Sequence, residues 1–308
     1  MAISVHASDG SQQPPRLEVF QATWAMLGLP DPARPWDHAE TVERIRAASF
    51  GGALHWVADE RTDFEMVEQL RRSGLRVGVG FPSYPGQSAT TLAQRAADLG
   101  VSFLNAQVHD AFVGDDEAVA RLEALYAECD AVGIPLFIET HRGTITQDLR
   151  RTLDYGRRVP RMRYTLDASH YVVAGEITDP DRAAPFEAAL AGIIRRSASV
   201  HARVSNGEQV QVDIGDGSGA LVGAYRRWWT SAYRHWLAEA APGEFFPFVC
   251  ELGPPPYAIT APAGASLPAG AELSDRWTQA LVLKRIAEAI RSEVESDAGE
   301  RRFQTDVA

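Results

Sequence analysis

Apolar residues along this 308-residue chain fall into short runs separated by longer amphipathic stretches. Runs of strand length recur at 16–26, 50–57, 75–81, 101–108, 134–139, 162–167, 199–204 and 246–251. Between them, segments such as "DHAETVERIRAAS", "TDFEMVEQLRRSG", "SATTLAQRAADLG" and "DDEAVARLEALYAECDAVG" repeat apolar positions at helical spacing. Asp or Ser often opens these segments and Gly closes them, as helix ends favour. The final one, from Ser274 to about residue 292, aligns Trp277, Ala280, Leu283, Ala287 and Ile290 on one face, with Ser274 as the expected cap.

Strand–helix alternation with short connections implies parallel pairing, and eight such units close into a (β/α)8 barrel. The expected fold is therefore α/β, one barrel domain over 16–292. Residues 1–15 are expected to form a flexible arm and 293–308 a charged tail. An open doubly wound sheet would call for a Gly-rich phosphate turn, and neither GxGxxG nor GxxxxGK[ST] occurs. Two connections are long, 205–219 and 252–273. In a barrel both lie on the C-terminal face, where long loops wall or cover a site.

Composition narrows the ligand class. A net charge of −11 and a pI near 5.2 oppose nucleic acid, whose affinity rests on Lys and Arg neutralising phosphates. A small soluble molecule is the expected partner. Cys129 and Cys250 form no disulfide framework or CxxC pair, the N-terminus lacks a basic and then apolar leader, and no apolar stretch is long enough for a bilayer. A cytoplasmic protein with no membrane partner is expected. The segment "YRRWWTSAYRHW", Tyr225–Trp236, is richer in aromatics than one barrel helix needs, which raises a homo-oligomer or partner surface as an expectation beside simple core packing.

Strands five to eight each finish with a candidate metal ligand: Glu139, Asp167, His201 and Glu251. Three carboxylates and an imidazole converging on a barrel mouth would repel one another without a cation. Their O/N chemistry suits Mn²⁺, Mg²⁺, Co²⁺ or Zn²⁺, with Mn²⁺ the first expectation. Strand alternation sets His141 beside Glu139 and Arg203 beside His201. For Arg203, substrate contact and an ion pair with a ligand carboxylate are both open. His170, expected in the loop after Asp167, either touches substrate or caps structure. Strand four puts Asn105, Gln107 and His109 on one face, with Gln107 a candidate partner for a ligand or a sugar hydroxyl. Arg142 is a candidate for phosphate, hydroxyl or carboxylate groups; His55 and Trp56 carry weaker signals.

The segments "IETHRGTITQDL", "TLDASHYVV", "VHARVSNGEQVQV" and "CELGPPPYAIT" resemble the xylose-isomerase-like TIM-barrel superfamily, the sugar isomerase/epimerase and apurinic-endonuclease-like group, over about 16–292. The resemblance implies one divalent metal held by Glu139, Asp167, His201 and Glu251, with His170 and Arg203 contacting substrate. It implies proton transfer on a keto sugar through an enediolate, with Glu139 and Glu251 as the two catalytic carboxylates. Some members instead cleave 3-keto glycosides by β-elimination with a small partner subunit, and His141 would be the catalytic base of that reaction. The long Pro-rich segment after Glu251 departs from the family pattern and is expected to place Tyr257 over the mouth, within reach of substrate. A DNA-binding endonuclease and a non-catalytic sugar-binding barrel complete the alternatives; the acidic balance opposes the first and the intact ligand set the second.

Overall fold

The computed structural model describes residues 5–58, 63–264 and 266–306, with side chains as far as 297. Eight parallel strands form its centre: β1 (Arg16–Ala22), β2 (Gly52–Trp56), β3 (Arg76–Ser83), β4 (Phe103–Val108), β5 (Leu136–Glu139), β6 (Tyr164–Leu166), β7 (Ser197–Ala202) and β8 (Glu244–Cys250). Each pairs with the next in sequence, and β8 pairs in parallel with β1 to close the ring. Around it lie α1 (His38–Ala47), α2 (Asp63–Arg72), α3 (Thr90–Asp98), α4 (Asp115–Asp130) and α5 (Leu149–Arg158). They are followed by α6 (Ala168–Ala174), α7 (Ala184–Ile194), α8 (Ala220–Leu237) and α9 (Arg276–Asp306). This is the single-domain (β/α)8 barrel that the alternation predicts.

Local chemistry explains the helix starts. Asp37 caps α1 in a reciprocal box with Glu40, and Asp148 accepts from the Arg151 amide at the start of α5. Ser274 does not cap α9. Asp275 does, accepting from the amides of Trp277 and Thr278, because its carboxylate presents two acceptors one residue closer to the helix. The first apolar run is shorter as a strand than its pattern, since Trp24–Met26 turns as one 3₁₀ unit after Ala22.

Alternation along the strands divides the barrel interior into two layers. The lower is apolar: Phe20, Phe103, Phe137 and Phe245 are fully buried there, with ring centroids 5.2–5.9 Å apart. A β-carbon at Gly78 would sit 2.3 Å from the Phe103 ring, so glycine there admits the close approach that the aromatic layer requires. Two residues further along the same strands the inward positions turn polar, at Asn105 after Phe103 and at Glu139 after Phe137. Apolar filling at one end thus supports ionisable groups at the other.

Part of the expected arm is held in place. Ala7–Ser8 pairs antiparallel with Glu244–Phe245, and Ala7 packs fully buried against the phenylalanine layer. At the other end α9 continues through the charged segment to Asp306. The aromatic side chains of α8 face the barrel rather than solvent. Tyr225, Trp228, Trp229, Tyr233 and Trp236 are all buried, with Trp229 edge-on to Phe248 and Tyr233 and Trp236 against Phe246. Trp228 packs instead against Phe186 of α7 and donates to Glu187. Among the described residues no helix is long and apolar enough to cross a membrane.

Candidate metal centre

Four donors converge at the C-terminal ends of β5 to β8. Glu139 ends β5, Asp167 follows β6, His201 lies on β7 and Glu251 follows β8. One ligand atom from each lies within 4.8 Å of the others, and all four residues are buried. His201 Nδ1 stands 2.9 Å from Glu251 Oε2 and 3.4 Å from Glu139 Oε1. Neither ring nitrogen of His201 makes a well-formed hydrogen bond, although the imidazole is almost wholly enclosed. Buried polar atoms are normally paired. An enclosed imidazole whose nearest polar neighbours are the Glu139 and Glu251 carboxylates, with Asp167 in the same cluster, fits a divalent cation with oxygen and nitrogen ligands.

The surrounding side chains orient these donors. Asn105 Nδ2 donates to Glu139 Oε2 at 2.7 Å and Gln107 Nε2 to Oε1 at 3.1 Å. The Thr146 hydroxyl donates to the Glu139 carbonyl at 2.6 Å, folding the "THRGT" turn back under the strand end. Asp167 also caps α6, accepting from the Ser169 amide at 2.9 Å and the Ser169 hydroxyl at 2.5 Å. Capping and ligation through separate carboxylate oxygens are compatible. Such supporting hydrogen bonds hold a ligand's direction before any ion arrives.

Charge balance depends on Arg203. Its Nη2 donates to Asp167 Oδ2, lies 3.4 Å from Glu251 Oε2 and 3.2 Å from His170 Nε2, and its Nε donates to Ser169 Oγ at 3.2 Å. Nη1 is buried without a partner, and the side chain lines the cavity above the cluster. Arg203 therefore makes the ion pair with Asp167 and leaves Nη1 without a partner. Burial opposes charge on His201, but Glu251 and Glu139 outweigh it and raise its pKa to about 10. For Glu139 burial is likewise the opposing effect, and the His201 cation lowers the carboxyl to about 2. Without a metal, the imidazole thus carries a proton between two carboxylates.

That protonation sets an expected pH dependence. A metal takes the nitrogen lone pair only as the proton leaves, so apparent affinity should rise roughly tenfold per pH unit between about pH 6 and 9, with one proton released per ion. Calorimetric titration in buffers of different ionisation heat reads that proton. His201→Ala should weaken binding and abolish the release; unchanged stoichiometry and affinity would remove His201 from the ligand set.

Above the cluster lies a cavity of about 190 Å³ lined by Trp24, Trp56, Gln107, Glu139, His141, Arg203, Glu251 and Tyr257, with Ala22 and Leu54. Tyr257 reaches it from the long loop after β8. Its hydroxyl is 3.2 Å from His141 Nε2, and its ring lies between the guanidinium groups of Arg203 and Arg142, 4.8 and 5.1 Å from the ring centroid. Arg142 is exposed on the outer side of this stack. The two long loops hold each other through Gln211, which donates to the Gly253 carbonyl at 3.1 Å and accepts from its amide at 2.7 Å.

His170 lies on α6 rather than in a loop, buried, with its ring 3.9 Å from that of His141. Burial lowers the pKa of both imidazoles, so each is neutral at pH 7. His109 stands apart, beyond the end of β4 and stacked on Tyr84. His55 points outward from β2, its Nδ1 2.7 Å from Thr23 Oγ1, while its neighbour Trp56 lines the cavity. Sequence reasoning missed Trp24 and Arg276. Trp24 continues the inward period of Phe20 and Ala22, a signal hidden by the turn that follows β1. Arg276 is buried and ties the loops together, donating to the carbonyls of Ala25 and Leu27 and to Glu272; nothing in its sequence neighbourhood marks it.

No family model matches the chain, and no curated protein does. Solved structures do match. A D-allulose 3-epimerase from Methylomonas sp., in complex with D-allulose, aligns at TM-score 0.58 and 15% identity, covering 91% of this chain and 99% of that one. A xylose isomerase-like TIM-barrel protein from Mycobacterium smegmatis, in complex with magnesium, aligns at 0.55 and 14%, over 90% and 98% of the two chains. A 3-keto-D-glucoside 4-epimerase from E. coli aligns at 0.54 and 10%, over 88% and 99%. These likenesses show the fold, a (β/α)8 TIM barrel.

Proposed function

We propose that this barrel belongs to the xylose-isomerase-like group and is a divalent-metal-dependent sugar isomerase or epimerase acting on a keto sugar. The observation that carries the reading is the convergence of four ligand-type residues beneath a small cavity whose walls include two of the carboxylates, Glu139 and Glu251. The three aligned structures support it, since two are described as epimerases of keto sugars and the third contains magnesium.

A cation held by Glu139, Asp167, His201 and Glu251 would supply Lewis-acid polarisation of the substrate carbonyl and stabilise the charge of an enediolate. The chain's own groups do the rest. Arg203 Nη1 and Gln107 present donors toward the cavity and orient hydroxyl or carbonyl oxygens. Glu139, kept ionised and held by Asn105 and Gln107, is one proton acceptor; Glu251 is the other. One carboxylate removes the proton next to the carbonyl and the other returns one. Return to the opposite face of the same carbon epimerises, and return to the neighbouring carbon isomerises. Trp24, Trp56 and Tyr257 exclude water from the reacting carbon.

The direct test is proton transfer itself. With Mn²⁺ restored to the metal-stripped protein, solvent deuterium should enter an otherwise intact ketose, read by NMR across a panel of ketoses and 3-keto glycosides. A metal-loaded protein that exchanges no proton and releases no aglycone from any of them would leave a sugar-binding barrel instead.

One observation favours a second reading, β-elimination from a C- or O-linked 3-keto glycoside with a small partner subunit. His141 lines the cavity as a neutral imidazole whose Nε2 meets the Tyr257 hydroxyl, a placement suited to a base. His141→Ala should lower isomerase or epimerase turnover by less than about tenfold, yet lower elimination by roughly 10²-fold or more. Aglycone release measured beside deuterium uptake separates the two.

A further inference from the structure

Beside the cavity over the cluster lies a larger one, of about 940 Å³, between the loop after β1, the start of α1 and α2. Its apolar walls are the indoles of Trp24, Trp36 and Trp56 and the thioethers of Met26 and Met66. Trp24 and Trp56 also line the smaller cavity, so two indole rings are a wall common to both. Protein interiors are close-packed, with few voids larger than a water molecule. A space of this size, lined by large apolar side chains and sharing Trp24 and Trp56 with a candidate site, has the dimensions of a ligand pocket.

We infer that the substrate carries a flat aromatic substituent, the sugar occupying the smaller cavity and the aromatic ring the larger. This rests on the sugar reading above and narrows its substrate class from free ketoses to aryl-substituted keto sugars. A flat π-system suits the site because indoles pair with aromatic rings edge-to-face or offset-stacked, and thioether sulfur packs favourably against ring edges. Polar partners for ring hydroxyls stand in the same wall: His55, held through Nδ1 by Thr23, and Gln69 on α2. The smaller cavity alone, closed on one side by Tyr257, has no room for such a ring beside the sugar.

The test compares phenyl 3-keto-β-D-glucoside with its methyl counterpart on the metal-loaded full chain. Stopped-flow quenching of tryptophan fluorescence reads phenyl binding ahead of turnover, and methyl binding follows from its competition with phenyl. The phenyl compound should bind about tenfold tighter or more. Gln69→Trp, which fills the larger cavity from α2 without touching the smaller, should reduce phenyl affinity to the methyl value and leave the methyl value unchanged. Trp36→Ala, which removes a wall, should produce the same loss and covers the case in which the first variant fails to fold. Equal affinities in the native protein, or a preference that survives both variants, would overturn the inference while leaving the sugar reading in place. Binding of neither compound would overturn this inference, and the sugar reading would then stand or fall on deuterium uptake by free ketoses.

Discussion

Glu139→Gln and Glu251→Gln are each expected to lower deuterium exchange and turnover by roughly 10²–10⁴-fold while the fold persists. Glutamine keeps the shape of the side chain and removes the charge and the basic oxygen. At position 139 the loss is compounded, because both carboxylate oxygens accept from Asn105 and Gln107, and an amide nitrogen placed there faces a donor. At position 251 the partner is His201, which loses one of the two carboxylates that keep it protonated in the metal-free protein. Metal content measured on the purified variants separates loss of a ligand from loss of a base. A variant that retains its ion but exchanges no proton identifies a catalytic carboxylate. Native-like exchange in either variant would end the two-carboxylate mechanism.

The barrel was legible because its signals are local and repeated. Eight apolar runs joined by helical periodicity need no tertiary information to imply parallel pairing, and the four strand-end donors inherit their convergence from that closure. Gln107 was legible for the same reason, as a polar residue at an inward position of β4. What escaped the pattern depends on contacts far apart in sequence. Arg276 reaches the carbonyls of Ala25 and Leu27 across the whole chain, and Gln211 meets Gly253 between two loops whose sequences carry no periodicity. The arm and the α8 aromatics escaped differently. Ser/Gln/Pro composition says nothing of Ala7 fitting beneath the phenylalanine layer, and an aromatic-rich helix looks the same in sequence whether the partner of its rings is another molecule or β8. Packing, not composition, decides both.

Arg203 carries the second large expected effect, on stability. The side chain is 1% exposed, and burial opposes its charge, yet Asp167 and Glu251 raise its pKa further. It remains a cation across the accessible pH range. Arg203→Met keeps much of the volume and removes the only guanidinium in contact with these carboxylates among the described residues. Asp167 then keeps only its Ser169 hydrogen bonds and the neutral His170 beside it, and Glu251 keeps His201. Breaking a buried pair by removing one partner costs about 3–5 kcal/mol, because the abandoned charge keeps its desolvation penalty. Urea unfolding of the metal-stripped proteins should show that loss as a lower midpoint at unchanged slope. Adding Mn²⁺ should stabilise the variant more than the native protein, since a cation among the four ligands restores the positive charge that Arg203 supplied. Equal stability of the two metal-stripped proteins would mean that Asp167 and Glu251 do not depend on the guanidinium. Equal gains on adding the ion would mean that arginine and metal do not balance the same carboxylates.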